Sequence, residues 1–382
     1  MLLQTFMDVS LRFGSLLVAL TLSVAACAAE AVTQDESGET ESGLLGFEHA
    51  AAAFDKRLTR ADLDTAKRWA VGGTDLGIPY VLENGSIGYL FGDTFSDPLP
   101  GGKGWRSPVM LRSAVSPAAG GGVVFDSAAK TGGGFAPELI ANAHDTRGLW
   151  SPKSEWSVIP NDGISFPETK RQVISFMSMN RWDGNGSVRA ASFRSGYAGL
   201  AYSDNGNDFT RVPATWQNDE GNNDADQMWT MQRDADWVYI FSVRSGRQDG
   251  PMMLRRVDYR KILEPGAYQG WGNDGTGWAW GKPPTPILQG KFGEPSVRRL
   301  KDGTWAMAYL DAAAGNIVTR TAKGPDQLWS AERVQVTFAQ EPCLYGGFIH
   351  PWSTLGAGGL HIMVSKWVGG GCSPPVRPRR IT

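Results

Sequence analysis

Short β-strand patterns recur about every 50 residues along most of this 382-residue chain, and this repeat restricts the fold more than any other feature. Each unit contains a strand, a tight turn rich in Gly, Asn or Asp, and a second strand. The five units cover 70–115, 158–217, 226–271, 286–338 and 344–368. Repeats of about 40–50 residues built from four short strands are typical of β-propellers. The pattern predicts an all-β chain with a single five-bladed β-propeller domain over 47–382, and a pair of packed β-sheets is the alternative.

The N-terminal residues do not follow this strand pattern and instead predict export. Residues 1–27 are typical of a signal peptide, because a short apolar stretch ends in small residues. The end of that stretch, Val24-Ala25-Ala26-Cys27, resembles a bacterial lipobox in which Cys27 is lipidated, and ordinary cleavage near Ala28 or Ala29 is the alternative. Residues 28–46 are acidic and poor in large apolar side chains, which predicts a flexible linker. We therefore expect an exported protein that is lipid-anchored to the outer membrane, periplasmic or secreted.

Charge and composition exclude several classes of function. The formal net charge is −2 with both signs interspersed, which does not fit a nucleic-acid-binding protein. The 15 tryptophans suit a surface that stacks on sugars, although large aromatic side chains are more often buried in a core. The sequence contains no metal-binding HExxH motif, no GxSxG nucleophile motif and no nucleotide-binding fingerprint. We expect a monomer that uses no cofactor and no metal and acts on a polysaccharide.

A predicted hairpin brings two carboxylates together. Two apolar, β-rich runs flank Asn84-Gly85, a dipeptide that favours a type I′ turn. A turn centred there places position 75 opposite position 94, so Asp75 and Asp93 meet at the open end of the hairpin. Two such carboxylates repel, which raises one pKa and suits acid/base hydrolysis. We predict both residues to be catalytic, with Asp93 as the acid because Phe91 and Phe95 flank it in the sequence.

Other polar and aromatic residues near predicted strand ends are candidates for substrate binding. Glu294 precedes Pro295 at a strand start, where it could orient the substrate or replace one of the two aspartates. The complete set of predicted substrate-binding residues is Asn142, His144, Trp182, Arg244, Glu294, His350 and Trp352. Cys343 and Cys372 are predicted to form a disulfide in an oxidising compartment, and two free thiols are the alternative.

Several of these segments together resemble a known family. The segments are GGTDLGIPY, GYLFGDTF, WRSPVMLRS, GISF, FMSMNRW, LAYSDNG, GEPSV and YGGFIHPWST, between residues 68 and 368. They are similar to the endo-D-arabinanases, glycoside hydrolases first catalogued as an actinobacterial domain of unknown function. The resemblance implies a five-bladed propeller that cleaves internal α-D-arabinofuranosyl linkages of D-arabinan. The family's two aspartates, in the GTDLG and FGDT motifs, match Asp75 and Asp93.

Two other functions remain open from the sequence. The first is a non-catalytic propeller lipoprotein of the cell envelope that binds glycans through the same aromatic channel. The second is a sialidase-like exo-enzyme, which would need three arginines in the channel, with Arg112, Arg244 and Arg298 as the candidates.

Overall fold

The computed structural model describes residues 64–99, 101–114, 123–131, 134–145, 154–182, 193–353 and 360–367, with the backbone alone at Trp182. These residues fall within one unit of the chain, Ser42–Thr382. They are nearly all strand or turn, apart from the short helix α1 (Thr65–Trp69) and 3₁₀ turns at Ser245–Arg247, Tyr259–Lys261 and Pro265–Ala267. Within the described ranges, no helix has the length and apolar character needed to cross a membrane.

The described residues contain nineteen strands. In chain order they are β1 (Gly73–Val81), β2 (Ile87–Phe95), β3 (Val109–Ser113), β4 (Ser127–Ala128), β5 (Ser157–Phe166), β6 (Arg171–Trp182), β7 (Phe193–Ser203), β8 (Thr210–Gln217), β9 (Met228–Asp234), β10 (Trp237–Val243), β11 (Asp249–Asp258), β12 (Gln269–Asn273), β13 (Trp278–Trp280), β14 (Leu288–Arg299), β15 (Trp305–Asp311), β16 (Asn316–Ala322), β17 (Arg333–Val336), β18 (Leu344–Ile349) and β19 (Ile362–Lys366).

All strand pairs are antiparallel, and most strands pair with their neighbours in the sequence. Strands β1–β4 form one sheet, β5–β8 a second, and β18–β19 a third. The strands from β9 to β17 form a single nine-stranded sheet, which differs from the two separate units expected there. The reason is the length of β11, whose second half pairs with β10 and β12 while its first half pairs with β14.

Burial along the strands follows their position within each sheet. The second strand of a group is covered on both faces, so β15 is buried at six consecutive positions. The sequence of β15 is accordingly a nearly continuous apolar run. Outer strands such as β8 and β17 have no fully buried residue. The apolar cores therefore lie between neighbouring groups of strands, as the clusters around Ile78, Phe176 and Phe348 and around Phe241, Met307 and Trp305 illustrate.

The first strands of the groups lie beside one another in chain order. β1 contacts β5, β5 contacts β9, β9 contacts β14, β14 contacts β18, and β18 contacts β1. Side chains from distant parts of the sequence are therefore neighbours along these five strands.

A buried ion pair links four of these strands. Asp162 on β5 and Arg298 on β14 lie 2.8 Å apart, with side chains 1% and 9% exposed. The Asp162 carboxylate also accepts hydrogen bonds from Thr230 on β9, and Arg298 donates to the Pro79 carbonyl on β1. The hydrogen bonds satisfy both charges, as a buried pair requires.

The β1–β2 hairpin is present, but its turn differs from the predicted type I′ turn. Gly85 donates to the Leu82 carbonyl at 2.9 Å, and Leu82 donates to Ser86 at 2.8 Å, which closes a loop of three residues. Gly85 takes a φ of 82°, whereas Asn84 does not adopt a positive φ. The Asn84 side chain instead accepts a hydrogen bond from the Ser86 amide at 3.0 Å. This Asx interaction fixes Asn84 in the ordinary region of backbone conformation.

Candidate active site

A β-bulge places Asp75 opposite Asp93. Thr74 pairs with Thr94, and the next pair along β1 is Leu76 with Phe91. Asp75 alone therefore faces two residues of β2, Gly92 and Asp93. The three-residue turn shifts the register by one from the predicted pairing of 75 with 94, and this shift brings the two aspartates directly across from each other.

The close approach of β1 and β2 at the bulge requires glycine at position 92. A Cβ atom built on Gly92 would lie 2.2 Å from Oδ1 of Asp75. Real Cβ atoms essentially never come that close to another heavy atom, so a larger residue would force the carboxylate or the strand to move. The Asp75 side chain therefore occupies the space that the absent side chain of Gly92 leaves.

Asp93 accepts two side-chain hydrogen bonds. Its Oδ1 receives the indole N–H of Trp105 at 2.8 Å and the hydroxyl of Ser157 at 2.6 Å. Burial raises the pKa of Asp93, while Ser157, Trp105 and the nearby His144 act in the opposite direction. Hydrogen bonds donated to a carboxylate favour its ionised form.

Asp75 has the opposite environment. Its Oδ1 is buried and has no hydrogen-bond partner among the residues that the structure describes. Burial raises the pKa of Asp75 well above its ordinary value, and the negative charges of Asp93 and Glu294 raise it further. Of the two coupled carboxyls, Asp75 has the pKa that burial and neighbouring charges raise more strongly, which favours Asp75 over the predicted Asp93 as the acid. The prediction from Phe91 and Phe95 did not include the donors that reach Asp93, because these donors come from other segments.

Glu294 completes a group of three carboxyls and is paired with an arginine. Arg247 donates to both carboxylate oxygens of Glu294, and the two side chains are 5% and 12% exposed. The Arg247 guanidinium lies 5.3 Å from the ring centres of both Phe193 and Tyr345. Burial raises the pKa of Glu294, and the ion pair with Arg247 opposes that change.

Tyr345 connects this ion pair to the bulge. Its hydroxyl oxygen accepts a hydrogen bond from the Leu76 amide at 3.4 Å. Burial raises the pKa of Tyr345 well above its ordinary value, and the charge of Asp75 adds to this effect. The Tyr345 phenol is therefore held in its neutral form beside Asp75.

Residues 60–369 match the model of a protein family described as "Domain of unknown function (DUF4185)". The chain belongs to the DUF4185 family. It is 52% identical over 326 residues to notoamide biosynthesis cluster protein J' of Aspergillus versicolor, covering 83% of this chain and 87% of that protein. It is 50% identical over 332 residues to notoamide biosynthesis cluster protein J of an Aspergillus species, covering 85% and 88%.

Among solved structures, the α-L-arabinofuranosidase of Podospora anserina superimposes with a TM-score of 0.42. That protein is 12% identical to this chain, and the match covers 81% of this chain and 93% of the enzyme.

In this DUF4185 chain, the loop that carries Asn142 and His144 lies beside Asp93. The His144 ring packs edge-on against Trp105 at a centroid distance of 4.5 Å. The His144 Nε2 atom lies 2.6 Å from Oε2 of Glu138, and the Asn142 amide donates to the other oxygen of the same carboxylate at 3.0 Å. Asn142 therefore contributes to the shape of this loop, and His144 is the member of the pair that approaches the aspartates.

Arg244 is not the arginine beside the carboxyls. Within the described ranges, its guanidinium donates to the carbonyls of Asn222 and Asp249 and to the side chain of Asn223. Arg247, three residues further along, takes the place that the sequence prediction gave to Arg244. The prediction missed it because a 3₁₀ turn with a positive φ at Gly246 reverses the chain between them.

His350 is buried, which corrects the prediction that it contacts substrate. Its side chain accepts a hydrogen bond from the Trp352 amide at Nδ1 and pairs with the Tyr89 hydroxyl at Nε2, 2.8 Å away. Burial lowers the pKa of His350 to about 3, and the charges of His361 and Arg298 act in the same direction. Trp352 packs on the His350 ring at 4.6 Å, so the pair forms part of the contact between β2 and the segment after β18.

The remaining predicted positions are only partly described. Trp182 ends β6, and its side chain lies outside the described residues. Cys343 is disulfide-bonded, whereas Cys372 and Cys27 lie outside the described residues. The pairing of Cys343 with Cys372 and the lipidation of Cys27 stay predictions.

Sequence reasoning missed four residues that contact the acid cluster, namely Trp105, Ser157, Arg247 and Tyr345. Trp105 and Tyr345 belong to the WRSPVMLRS and YGGFIHPWST segments that carry the family resemblance, so that signal was available. Ser157 and Arg247 stand in no recognisable motif, and only the packing of different strand groups brings them to the site.

Proposed function

We propose that this chain is a glycoside hydrolase that cleaves internal α-D-arabinofuranosyl linkages of D-arabinan by two-carboxylate catalysis. The observation that carries the proposal is the contrast between two adjacent carboxyls. Among the described residues, one buried oxygen of Asp75 has no hydrogen-bond partner, while Asp93 accepts two hydrogen bonds. A protonated carboxyl beside an ionised one is the arrangement that glycosidic bond hydrolysis requires. The family resemblance of the segments around both residues supports the choice of D-arabinan.

The proposed reaction assigns one role to each aspartate. Asp75 donates its proton to the leaving glycosidic oxygen as the bond between that oxygen and the anomeric carbon breaks. Asp93 either accepts a proton from the water that attacks this carbon or attacks the carbon itself, in which case water releases the sugar in a second step. Both routes consume one water. In the second route Asp75 takes a proton from that water and is protonated again, whereas in the first route the proton gained by Asp93 passes back to Asp75 through solvent before the next cycle. Glu294, neutralised by Arg247, raises the pKa of Asp75 and helps it retain the proton.

We propose a five-bladed propeller as the scaffold for this site. The cyclic order of contacts among β1, β5, β9, β14 and β18 supports five inner strands around one axis. Asp75, Asp93 and Glu294 belong to the hairpin of the first group and the inner strand of the fourth, so they would meet at one end of the central channel. The export of the chain, by a lipidated Cys27 or by ordinary cleavage, is also a proposal.

The test is hydrolysis of purified D-arabinan by the wild-type protein and by the Asp75→Asn and Asp93→Asn variants, with products followed by mass spectrometry. We expect internal cleavage by the wild type and a loss of at least about 1,000-fold in each variant, because general acid catalysis and nucleophilic assistance both disappear. Asp302→Asn is the matched control, since Asp302 is exposed and only caps a turn through the Thr304 amide. Near-full activity of both site variants would refute the catalytic assignment. Binding of D-arabinan without fragments from the wild type would favour the glycan-binding lipoprotein instead.

The names of the two Aspergillus relatives favour a second candidate function. Both are called notoamide biosynthesis cluster proteins and are at least 50% identical to this chain. The same acid–base pair would then act on a small molecule produced by a biosynthetic gene cluster. Incubation of the wild type and Asp75→Asn with metabolite extracts of a strain lacking the protein's gene distinguishes the two functions. A metabolite consumed by the wild type alone, together with no cleavage of D-arabinan, would favour the biosynthetic role.

A further inference from the structure

The indole of Trp105 is the link between Asp93 and a neighbouring loop. Its N–H donates to Asp93 at 2.8 Å, and its ring lies between His144 at 4.5 Å and Trp156 at 5.7 Å. The backbone next to Trp105 is fixed by a β-bridge between Arg106 and Thr94, the residue that follows Asp93. Any movement of the indole therefore changes the hydrogen bond to Asp93 directly.

Contacts from the side chain and from the backbone hold His144 in place. Its Nε2 lies 2.6 Å from Oε2 of Glu138, and its amide donates to the Asn142 side chain at 3.0 Å. Glu138 in turn accepts from the Ser107 amide at 3.1 Å, so the loop is joined to the segment that follows Trp105. His144 also takes a φ of 48°, a backbone conformation that a residue other than glycine keeps only when its surroundings impose it.

The same loop is fastened from its other side by Glu155 and Arg211. The Ala143 amide donates to Glu155 at 3.1 Å, and Arg211 pairs with Glu155 at 2.7 Å and also donates to the Ala141 carbonyl. Hydrogen bonds from both sides thus fix the imidazole against the indole.

We infer that His144 is a positioning residue for Asp93, which acts through the indole of Trp105 and is itself held in place by Glu138. The imidazole keeps the Trp105 N–H directed at the carboxylate, and its electrostatic interaction with Asp93 lowers the pKa of that carboxyl. Both effects favour the ionised form of Asp93, which the proposed reaction uses as base or nucleophile when the glycosidic bond breaks. The inference rests on the proposed function for its catalytic meaning, and its structural content can be tested without substrate.

Several charged groups surround this arrangement and act on the same carboxyl. They are Asp75 on β1, the Glu294–Arg247 pair, Glu138, which contacts His144, and the Glu155–Arg211 pair, which contacts the loop that carries His144. Glu155 keeps its partner Arg211 in a His144 variant, so the changes near Asp93 are the loss of the ring contact with Trp105 and the loss of the partner of Glu138.

The first experiment follows the carboxyl carbons of ¹³C-labelled aspartate by NMR between pH 3 and pH 9, with Asp93 assigned from Asp93→Asn. We expect His144→Gln to raise the titration midpoint of Asp93 by about half a pH unit or more, because the variant removes the interaction with His144 that lowers the Asp93 pKa and loosens the Trp105 donor. The indole proton of Trp105, assigned from Trp105→Phe, should move upfield as its hydrogen bond weakens. His361→Gln is the matched control, since the His361 residue is exposed. An unchanged Asp93 midpoint and an unchanged indole proton in His144→Gln would overturn the inference.

A double variant tests whether the effect passes through Trp105. Trp105→Phe keeps the ring contact and removes the donor, so it should raise the Asp93 midpoint on its own. Adding His144→Gln should then change the midpoint by less than His144→Gln does in the wild type. A full and additive effect in the double variant would refute the path through the indole.

Kinetics separate positioning from direct substrate contact. If the wild type cleaves D-arabinan, His144→Gln should lower kcat about 10-fold or more, with KM changed less than twofold. A raised KM with unchanged kcat would refute positioning in favour of sugar binding by His144. If the wild type cleaves no arabinan, the proposed function fails, and the two NMR experiments alone decide the inference.

Discussion

Arg247 donates to both carboxylate oxygens of Glu294, and this ion pair lies next to Asp75, whose pKa responds to both charges. The two charges act in opposite directions: Glu294 raises the pKa of Asp75, and Arg247 lowers it by less. Without the Glu294 charge, Arg247 would act on Asp75 as an unopposed cation.

Replacing Glu294 by Gln is therefore expected to lower the pKa of Asp75. Loss of a neighbouring anion and exposure of the Arg247 charge both favour the ionised form, so Asp75 gives up its proton at a lower pH. The alkaline limb of the pH–activity profile should move down by about one pH unit. The Asp75 carboxyl titration, read by ¹³C NMR, should move in the same direction. A shift to higher pH would contradict this account.

The matched control for Glu294→Gln is Glu168→Gln. Glu168 makes a similar two-armed contact with Arg233 at 2.8 Å, but its side chain is 48% exposed. We expect no change in the alkaline limb for this variant.

Replacing Gly92 by Ala should inactivate the site with little effect on the rest of the fold. The new Cβ would lie 2.2 Å from Oδ1 of Asp75, so the carboxylate must move by about 1 Å or the strand must shift. A displacement of that size can cost about 100-fold in rate. Gly266→Ala is the control, because a Cβ there has no heavy atom within 4 Å. Activity within twofold of the wild type in Gly92→Ala would show that the bulge tolerates a side chain.

Replacing Asp162 by Asn should destabilise the whole domain. Arg298 would remain buried without its anion, which costs about 3–5 kcal/mol of unfolding free energy. The measurement is urea unfolding followed by tryptophan fluorescence. Asp204→Asn removes an exposed pair with Arg171 instead, and its expected cost is at most about 1 kcal/mol. Equal losses in the two variants would mean that the Asp162–Arg298 pair does not join the strand groups.

His350 should make the protein less stable as the pH falls. The pKa of His350 in the fold is about 3, below the value of about 6.5 in an unfolded chain, so the unfolded state binds the proton first. Stability is fully present above about pH 6.5 and falls by about 1.4 kcal/mol per pH unit below it, until the folded pKa is reached. Urea unfolding at pH 7 and pH 5 checks the slope, which His350→Gln should reduce and His361→Gln should largely retain. An imidazole NMR signal of His350 that titrates near pH 6.5 would rule this out.

The sequence predicts the strands and the central pair of acids well, because local patterns decide both. The apolar runs on both sides of the turn residues Asn84-Gly85 indicate a hairpin, and Asp75 and Asp93 then lie at its open end. The turn type was wrong, because the choice between a two-residue and a three-residue loop depends on one side-chain hydrogen bond from Ser86 to Asn84.

The surroundings of the acids are less predictable, because they come from distant segments. Arg247 rather than Arg244 faces Glu294, and only the turn at Gly246 decides between them. His350 resembles an active-site residue in its Gly- and Trp-rich segment, yet its ring is enclosed by Tyr89 and Trp352. Such outcomes depend on how strand groups pack, which no local pattern records.

Strand β11 belongs to two groups of strands, and this affects how the domain unfolds. Its first residues pair with β14 and its last residues with β10 and β12, so the third and fourth groups of strands have hydrogen bonds in common. Opening either group exposes amides of the other, and native-state hydrogen exchange should therefore show the two groups as one cooperative unit. The acids of the β1–β2 hairpin belong to a different sheet from Glu294, so any movement of one sheet relative to the other changes the distance between these carboxyls.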